Sequence, residues 1–252
     1  MNREYSCKIL KRDMLTSDTA YLTIECADIA NRAVPGQFVN VSCSRFLKRP
    51  FGIASVDTSA GTFNIGIKVV GAGSSELASI EEGSIVNVLG PLGNGFDLSA
   101  SDSFILVSGG TGVFPINFAY ETLRSKGKNV TMVQGFRDKS QVCLTSDEYI
   151  VTTDAGDYGI KGTCIAGLDT LKIEGNTTVC CVGPVPMMKA VGNWASGKGL
   201  KCYISMEQRM ACGIGICLVC VCKKKAEEEG IPFEHVRCCK DGPVFEFGEV
   251  IL

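Results

Sequence analysis

The residues of this chain best suited to chemistry are thiols. Cys212, Cys217 and Cys220 stand at C-x4-C-x2-C, with Gly213 and Gly215 inside the first gap and Cys238-Cys239 downstream. That is the plant-type spacing for three ligands of a two-iron, two-sulfur cluster, whose fourth thiolate arrives from farther along the chain. Soft iron–sulfide cores select thiolates. Glycine permits the positive φ and close backbone approach needed to wrap an inorganic core. Two other readings share these residues. Structural zinc accepts the C-x2-C of Cys217 and Cys220, and cysteine also packs as a small hydrophobe. Both account less well for the four-residue gap and its glycines.

A second set of residues could hold phosphates and rings. Arg49-Pro50-Phe51-Gly52 opens an apolar run, and an arginine beside an aromatic can clamp a phosphate and cover a ring. Gly71-Ala72-Gly73-Ser74-Ser75 offers small residues and backbone amides ahead of a short helix, a phosphate-site pattern that a plain serine cap also produces. Gly109-Gly110-Thr111-Gly112 follows an apolar strand and precedes a helical period. Its Gly110-x-Gly112-x-x-Pro115 is an incomplete dinucleotide fingerprint, equally consistent with a tight turn.

Composition narrows the classes. The net charge of −2 supplies no electrostatic case for nucleic acid or an anionic membrane. The single histidine, His235, excludes a histidine-based triad and a multi-histidine metal site, and reads as a surface loop residue. Seven of the 14 cysteines fall from Cys202 to Cys239, an odd and uneven cluster that argues against paired bridges and for a reducing compartment. The N-terminus carries charges and no long apolar run, and no segment is apolar enough to span a bilayer, so the expected location is cytoplasmic. Lys223 to Lys225 with the acidic run at 227–229 reads as a solvated mixed-charge loop.

These residues need three kinds of scaffold. In the first hundred residues, strands are expected at 5–10, 21–26, 38–42, 51–56, 63–70 and 85–89, with one short helix at 75–80. Close spacing between turn signals such as Pro35-Gly36 and Gly90-Pro91 predicts a small antiparallel barrel. From about residue 101 the pattern becomes strand, glycine turn, helix, strand, which predicts a doubly wound parallel sheet with ligands beyond the carboxyl ends of its strands. The expected domains are therefore 1–100, 101–205 and a cysteine-rich segment at 206–252.

Taken in this order, the motifs resemble the ferredoxin-reductase superfamily and, within it, the electron-transfer subunits of B-type dihydroorotate dehydrogenases. The resemblance covers essentially the whole chain. Its most specific part is Met206-Glu207-x-Arg209-Met210-x-Cys212-Gly213-Ile214-Gly215-x-Cys217-x-x-Cys220, with Cys239-x-Asp241-Gly242-Pro243-Val244-Phe245 later. Gly90-Pro91-Leu92-Gly93-Asn94-Gly95-Phe96 and Gly183-Pro184-x-Pro186-Met187 also look like the family. The resemblance implies FAD on the barrel, NAD on the α/β domain and a [2Fe-2S] cluster on the last segment. It matches Arg49, Pro50, Phe51 and Gly52 to a flavin motif, Gly66, Ile67 and Lys68 to a second flavin segment, and Gly73 and Ser74 to a pyrophosphate turn. Gly110 and Gly112 match the nucleotide turn. Cys239 matches the fourth ligand beside Cys212, Cys217 and Cys220, leaving Cys222 and Cys238 as packed thiols.

The sequence departs from the family in four places. Gly52 replaces a serine or threonine that faces the flavin, Val182 replaces a cysteine before Gly-Pro, Lys68 replaces an arginine, and Phe114 is bulky for its turn. The implied function is a relay between a nicotinamide nucleotide, FAD and the cluster, serving a flavin-containing catalytic partner. No side chain is expected to be catalytic, because the cofactors carry the chemistry. A reductase for a different acceptor, and a zinc-stabilised flavin-free binding protein, are the competing readings. In the stretch Arg137-Asp138-Lys139, Asp138 suits a ribose 2′-hydroxyl and its basic neighbours a 2′-phosphate.

Overall fold

Alternation of buried β-branched residues with polar ones builds the first half of the molecule. The computed structural model describes residues 3–173, 175–226 and 230–252, so the acidic run at 227–229 lies outside the described residues. β1 (Arg3–Thr16), β2 (Thr19–Glu25), β3 (Phe38–Val41), β4 (Arg49–Asp57), β5 (Thr62–Lys68) and β6 (Ile85–Leu92) close into a barrel in the order β1-β2-β5-β4-β3-β6. Every neighbouring pair is antiparallel. Ile9, Leu22, Ile24, Val39, Ile53, Phe63, Ile65 and Ile67 fill its interior. Closure removes the exposed edges that an open sheet of these strands would present.

The helices of this half differ from expectation. α1 (Ala27–Arg32) is absent from the sequence reading, since six residues are too few to display a helical period. It buries Ile29 and Ala30 against the barrel. α2 spans Ala72–Ala78 and so begins three residues before the expected 75. The Ser74 hydroxyl accepts from the Val70 and Gly71 amides at 2.9 and 3.1 Å, which lets the helix start inside the glycine turn.

The second half adds β7 (Ser103–Gly109), α3 (Val113–Ser125), β8 (Asn129–Phe136), β9 (Ile150–Thr153), β10 (Ile160–Lys161), α4 (Cys164–Leu168), β11 (Thr177–Val182), α5 (Val185–Gly197) and β12 (Lys201–Ser205). The sheet order is β10-β9-β8-β7-β11-β12, all parallel. β7 and β11 are buried on both faces, as central parallel strands are. Cys180 packs with Leu106 and Ile116 on one face, and Cys181 with Val107 and Ile204 on the other, so both thiols act as small hydrophobes.

The last segment returns to this sheet. β13 (Val221–Lys224) and β14 (Glu234–Arg237) pair antiparallel, and β15 (Val244–Glu246) then adds antiparallel to the edge strand β12. Lys223, Lys224 and His235 therefore lie on strands rather than in the expected loops. Cys220, Cys238 and Cys239 share one core with Phe38 and Leu92 of the barrel and Val107 of the sheet, so the three parts meet in one apolar cluster.

Candidate functional site

The cysteine loop owes its path to left-handed residues. Gly213, Gly215 and Leu218 have φ of +71°, +82° and +59°. This curls the chain so that amides point at sulfur: the Ile214 and Cys217 N–H groups both donate to Cys212 Sγ at 3.5 Å. A side chain at Gly213 would be strained by its positive φ, and its Cβ, 2.3 Å from Asn40 Nδ2, would force that amide to move.

The fourth thiol arrives by strand register. Val221 pairs with Arg237 and Cys222 with Val236, which carries the next residues of each arm together. Cys239 N–H then donates to Cys220 Sγ at 3.4 Å across 19 residues. Arg237 holds the turn: it donates to Asp241 through its backbone at 2.7 Å and its guanidinium at 2.8 and 2.9 Å, and to the Gly215 carbonyl at 3.2 Å. Asp241→Ala is expected to cost about 1–2 kcal/mol, charge-assisted bonds discounted for partial exposure, read as a lower denaturation midpoint with earlier loss of any bound cluster.

The four thiols come together as two pairs, Cys212 with Cys217 and Cys220 with Cys239. Among the described residues no three cysteine, histidine or acidic side chains converge on one ion position. Two pairs suit a two-iron core, which spreads its four thiolates over two metals, better than one tetrahedral zinc. Burial pushes the Cys212 thiol up, but amides from Cys217, Ile214 and Ile216 outweigh it and bring it down to about 6. Burial and the neighbouring Cys220 hold Cys239 up at about 12. Cys238 donates instead to the Met206 carbonyl at 3.2 Å and Cys222 to Val236 at 3.8 Å, so both thiols are bonded inside the core.

Beside this loop lies a cavity of about 350 Å³ where barrel, sheet and cysteine segment meet. Phe38, Phe51, Phe114, Met206 and Met210 give it apolar walls. Asn40 bridges cavity and loop, its Nδ2 3.9 Å from Met210 Sδ and close to Gly213. Strand alternation sends Gly66 and Lys68 to the cavity and Ile67 into the barrel core, so Ile67 can offer a ligand only its backbone. Pro50 and Gly52 also line it. A Cβ on Gly52 would sit 2.8 Å from Pro115, and one on Gly66 about 2.2 Å from the Phe114 ring. The bulk of Phe114 is therefore accommodated by the glycine of β5. Val182 lines the cavity, whereas Cys181 faces the opposite side of β11.

Arg49 lies over α2, where a Cβ on Gly73 would meet its guanidinium at 2.6 Å. The arginine donates to the Leu47 carbonyl at 2.6 Å. A guanidinium and a helix N-terminus thus share one place, a fitting pair for a pyrophosphate. The Ser74 hydroxyl, occupied in its own turn, is not free for that role.

A second cavity, about 400 Å³, opens at the carboxyl ends of the parallel strands, as the switch-point rule requires. Gly109, Gly110, Arg137, Asp154, Pro184 and Met187 line it. Gly110 has φ +53° and faces it, while Gly112 packs backward, its absent Cβ only 2.2 Å from the Val182 carbonyl. Asp138 accepts from Ser140 at 2.9 and 2.5 Å, and those bonds hold its carboxyl below the usual range. The charged side chains lining the cavity are instead Arg137 and Asp154. Asp154 was invisible in sequence because it belongs to a different strand end. Glu207, quoted within a motif but given no role, proves to line the first cavity.

Two family models match: an oxidoreductase FAD-binding domain over residues 6–96, and the iron-sulfur cluster binding domain of dihydroorotate dehydrogenase B over 207–251. Among curated relatives, the electron transfer subunit of dihydroorotate dehydrogenase B (NAD(+)) from Bacillus mycoides is 38% identical over 86% of this chain and 87% of its own. That from Fusobacterium nucleatum is 33% identical over 97% of each. Among solved structures, one described as an NADH-dependent reduced ferredoxin-NADP oxidoreductase, studied for flavin-based electron bifurcation, superposes with TM-score 0.86 at 28% identity. It covers 97% of this chain and 89% of that one. Phthalate dioxygenase reductase, at 20% identity and TM-score 0.62 over 93% of this chain and 76% of that one, shares the fold.

Proposed function

From the premise that this chain belongs to the family of dihydroorotate dehydrogenase B electron-transfer subunits, we propose that it relays electrons between NAD and a flavin-containing catalytic partner, dihydroorotate dehydrogenase. FAD, when bound, supplies the exchange between a hydride's electron pair and single electrons, which a [2Fe-2S] cluster can carry onward. The observation that carries this reading is the placement of two thiol pairs directly beside the aromatic cavity, with Met210 and Cys238 on its wall.

Each part of the chain has a task in this scheme. Cys212, Cys217, Cys220 and Cys239 hold the cluster, and loop amides donate to their sulfurs. Arg49 and the α2 amides bind the pyrophosphate. Pro50, Phe51, Gly52, Gly66 and Lys68 shape the ring site, and Phe38, Phe114 and Met206 keep water from it. Gly110 and Arg137 bind the nicotinamide nucleotide at the second cavity, with Asp154 suited to a ribose hydroxyl. Ile216 and Leu218, 75% and 59% exposed beside the thiols, present an apolar docking face for the partner. The absence of cysteine pairing suits a reducing, cytoplasmic location; separately, no helix among the described residues is long and apolar enough to cross a membrane. Net flow in this setting runs from dihydroorotate through the partner to NAD.

The similarity to the ferredoxin-NADP oxidoreductase structure favours one alternative, the same relay serving another acceptor. Anaerobic purification tests the scheme. The expected sample shows flavin bands over broad iron–sulfur absorption, with about two irons per chain. A colourless zinc protein overturns the relay. Native co-purification with a catalytic subunit unrelated to dihydroorotate overturns the partner assignment alone.

A further inference from the structure

Two thiols of the barrel have no task in this scheme. Cys7 lies in β1, 1% exposed, and Cys26 directly follows β2, half-buried. Neither lines either cavity. The β1–β2 register runs through Ile9 with Ile24 and Lys8 with Glu25. Cys26 keeps an extended backbone, with φ −166° and ψ 96°, so one further step sets it opposite Cys7. Its N–H donates away from β1, to the Gly61 carbonyl at 2.9 Å. The two cysteines therefore form a non-hydrogen-bonded pair, in which Cα atoms stand about 4.5 Å apart, a separation that a disulfide can span. Strand alternation turns both side chains inward with Ile9 and Ile24, and both pack in the barrel core. Contact between the sulfurs is the largest influence on each. It drives the Cys7 thiol far up and, against burial, brings Cys26 down to about 7. From α1, the Ile29 and Asp28 amides add to this lowering and the Asp28 carboxylate opposes it. The Cys7 Sγ also reaches the Tyr5 carbonyl, at 3.7 Å.

We infer that Cys26 and Cys7 form a reversible dithiol site for hydroperoxides, in which Cys26 attacks the oxidant and Cys7 resolves the product. The half-buried Cys26 sulfur admits a small oxidant, and the buried Cys7 sulfur does not. With hydrogen peroxide, the Cys26 thiolate attacks one oxygen. An S–O bond forms, the O–O bond breaks, and the departing hydroxide takes a proton and leaves as water. Cys26 is then a sulfenic acid, oxidised by two electrons, and the peroxide is reduced. The Cys7 sulfur next attacks Cys26 Sγ. The S–S bond forms, the S–O bond breaks, and hydroxide leaves with the Cys7 proton as a second water. A dithiol reductant restores both thiols by exchange. Such a transient disulfide is the kind a reducing compartment permits. It would tie β1 to the residue that leads into α1.

The test treats the full chain, purified anaerobically with its cofactors, with equimolar hydrogen peroxide. Remaining thiols are then alkylated and every cysteine is mapped by mass spectrometry. A peptide linking Cys7 to Cys26 should be the main disulfide product, and a dithiol reductant should reverse it. Cys26 should be consumed faster than Cys43, a half-buried thiol on another strand end. Cys7→Ala should instead leave a sulfenic acid on Cys26, captured by a 1,3-dione. Alkylation of Cys26 across pH should rise through a midpoint near 7 in wild type. Cys7→Ala should move that midpoint up and slow alkylation at neutral pH by on the order of 10-fold, one pKa unit of lost thiolate. Cys7 and Cys26 both still alkylated once the peroxide is spent overturn the inference. So does Cys26 linked to another cysteine, or consumed no faster than Cys43. If Cys7→Ala does not fold, Cys26→Ser decides: an unoxidised Cys7 supports the assignment, and a Cys7 that still oxidises overturns it.

Discussion

Cys239→Ser should abolish stable cluster binding while leaving flavin reduction by NADH in place. Cys239 reaches Cys220 only through the β13–β14 register, and its amide already donates to that sulfur at 3.4 Å. A hard hydroxyl at this position is a poor ligand for a soft core. Outer-shell changes alone cost roughly 10–100-fold in metal affinity, so a lost ligand should cost at least that. The measurements are iron content, the cluster's absorption and paramagnetic signal, and reduction of the partner. Partner reduction should fall with the cluster if the loop is the exit route proposed above. Cys238→Ser is the control: a hydroxyl there can still donate to the Met206 carbonyl, and the cluster should persist. The assignment fails if the Cys238 variant loses the cluster and the Cys239 variant keeps it.

Gly66→Ala is expected to be the most damaging single-methyl change in the cavity between barrel, sheet and cysteine segment. The new Cβ would fall about 2.2 Å from the Phe114 ring, which is fully buried between Tyr21 and the barrel wall. Neither side can yield easily. β5 is held by β2 and β4 on its two edges, and Phe114 lies in the first turn of α3. Overpacking of this kind costs about 1–3 kcal/mol. Phe114→Ala should cost about 3–5 kcal/mol by leaving a cavity. The double variant should be more stable than the two costs added, since the methyl then fills part of the space that the ring vacated. Denaturation midpoints of the four chains measure this coupling, and flavin content reports the cavity. Strict additivity would show that the two residues do not share the space.

The local chemistry of the thiol loop was readable without coordinates. C-x4-C-x2-C with two glycines encodes ligand spacing and left-handed backbone within nine residues, and the structure gives those glycines positive φ. The strands of the barrel were equally readable, because each carries its own alternation. α1 was not, since a helix of six residues is too short to display a period.

Arrangements between distant residues were out of reach. Arg137-Asp138-Lys139 offered one candidate for a ribose hydroxyl and two for a 2′-phosphate; a local turn ties Asp138 to Ser140, and only folding brought Arg137 to one cavity with Asp154. Gly110 and Gly112 read as one turn, yet one faces ligand space and the other packs on β11. The sequence by itself determined which residue types exist for chemistry, in what order, and on which local elements, because those depend on neighbours within a few positions. Tertiary structure alone decided that four thiols meet as two pairs, that Phe114 needs Gly66, and that Glu207 lines the cavity between barrel and sheet. Each of these is a contact across a register or an interface, where packing, not spacing along the chain, sets the distance.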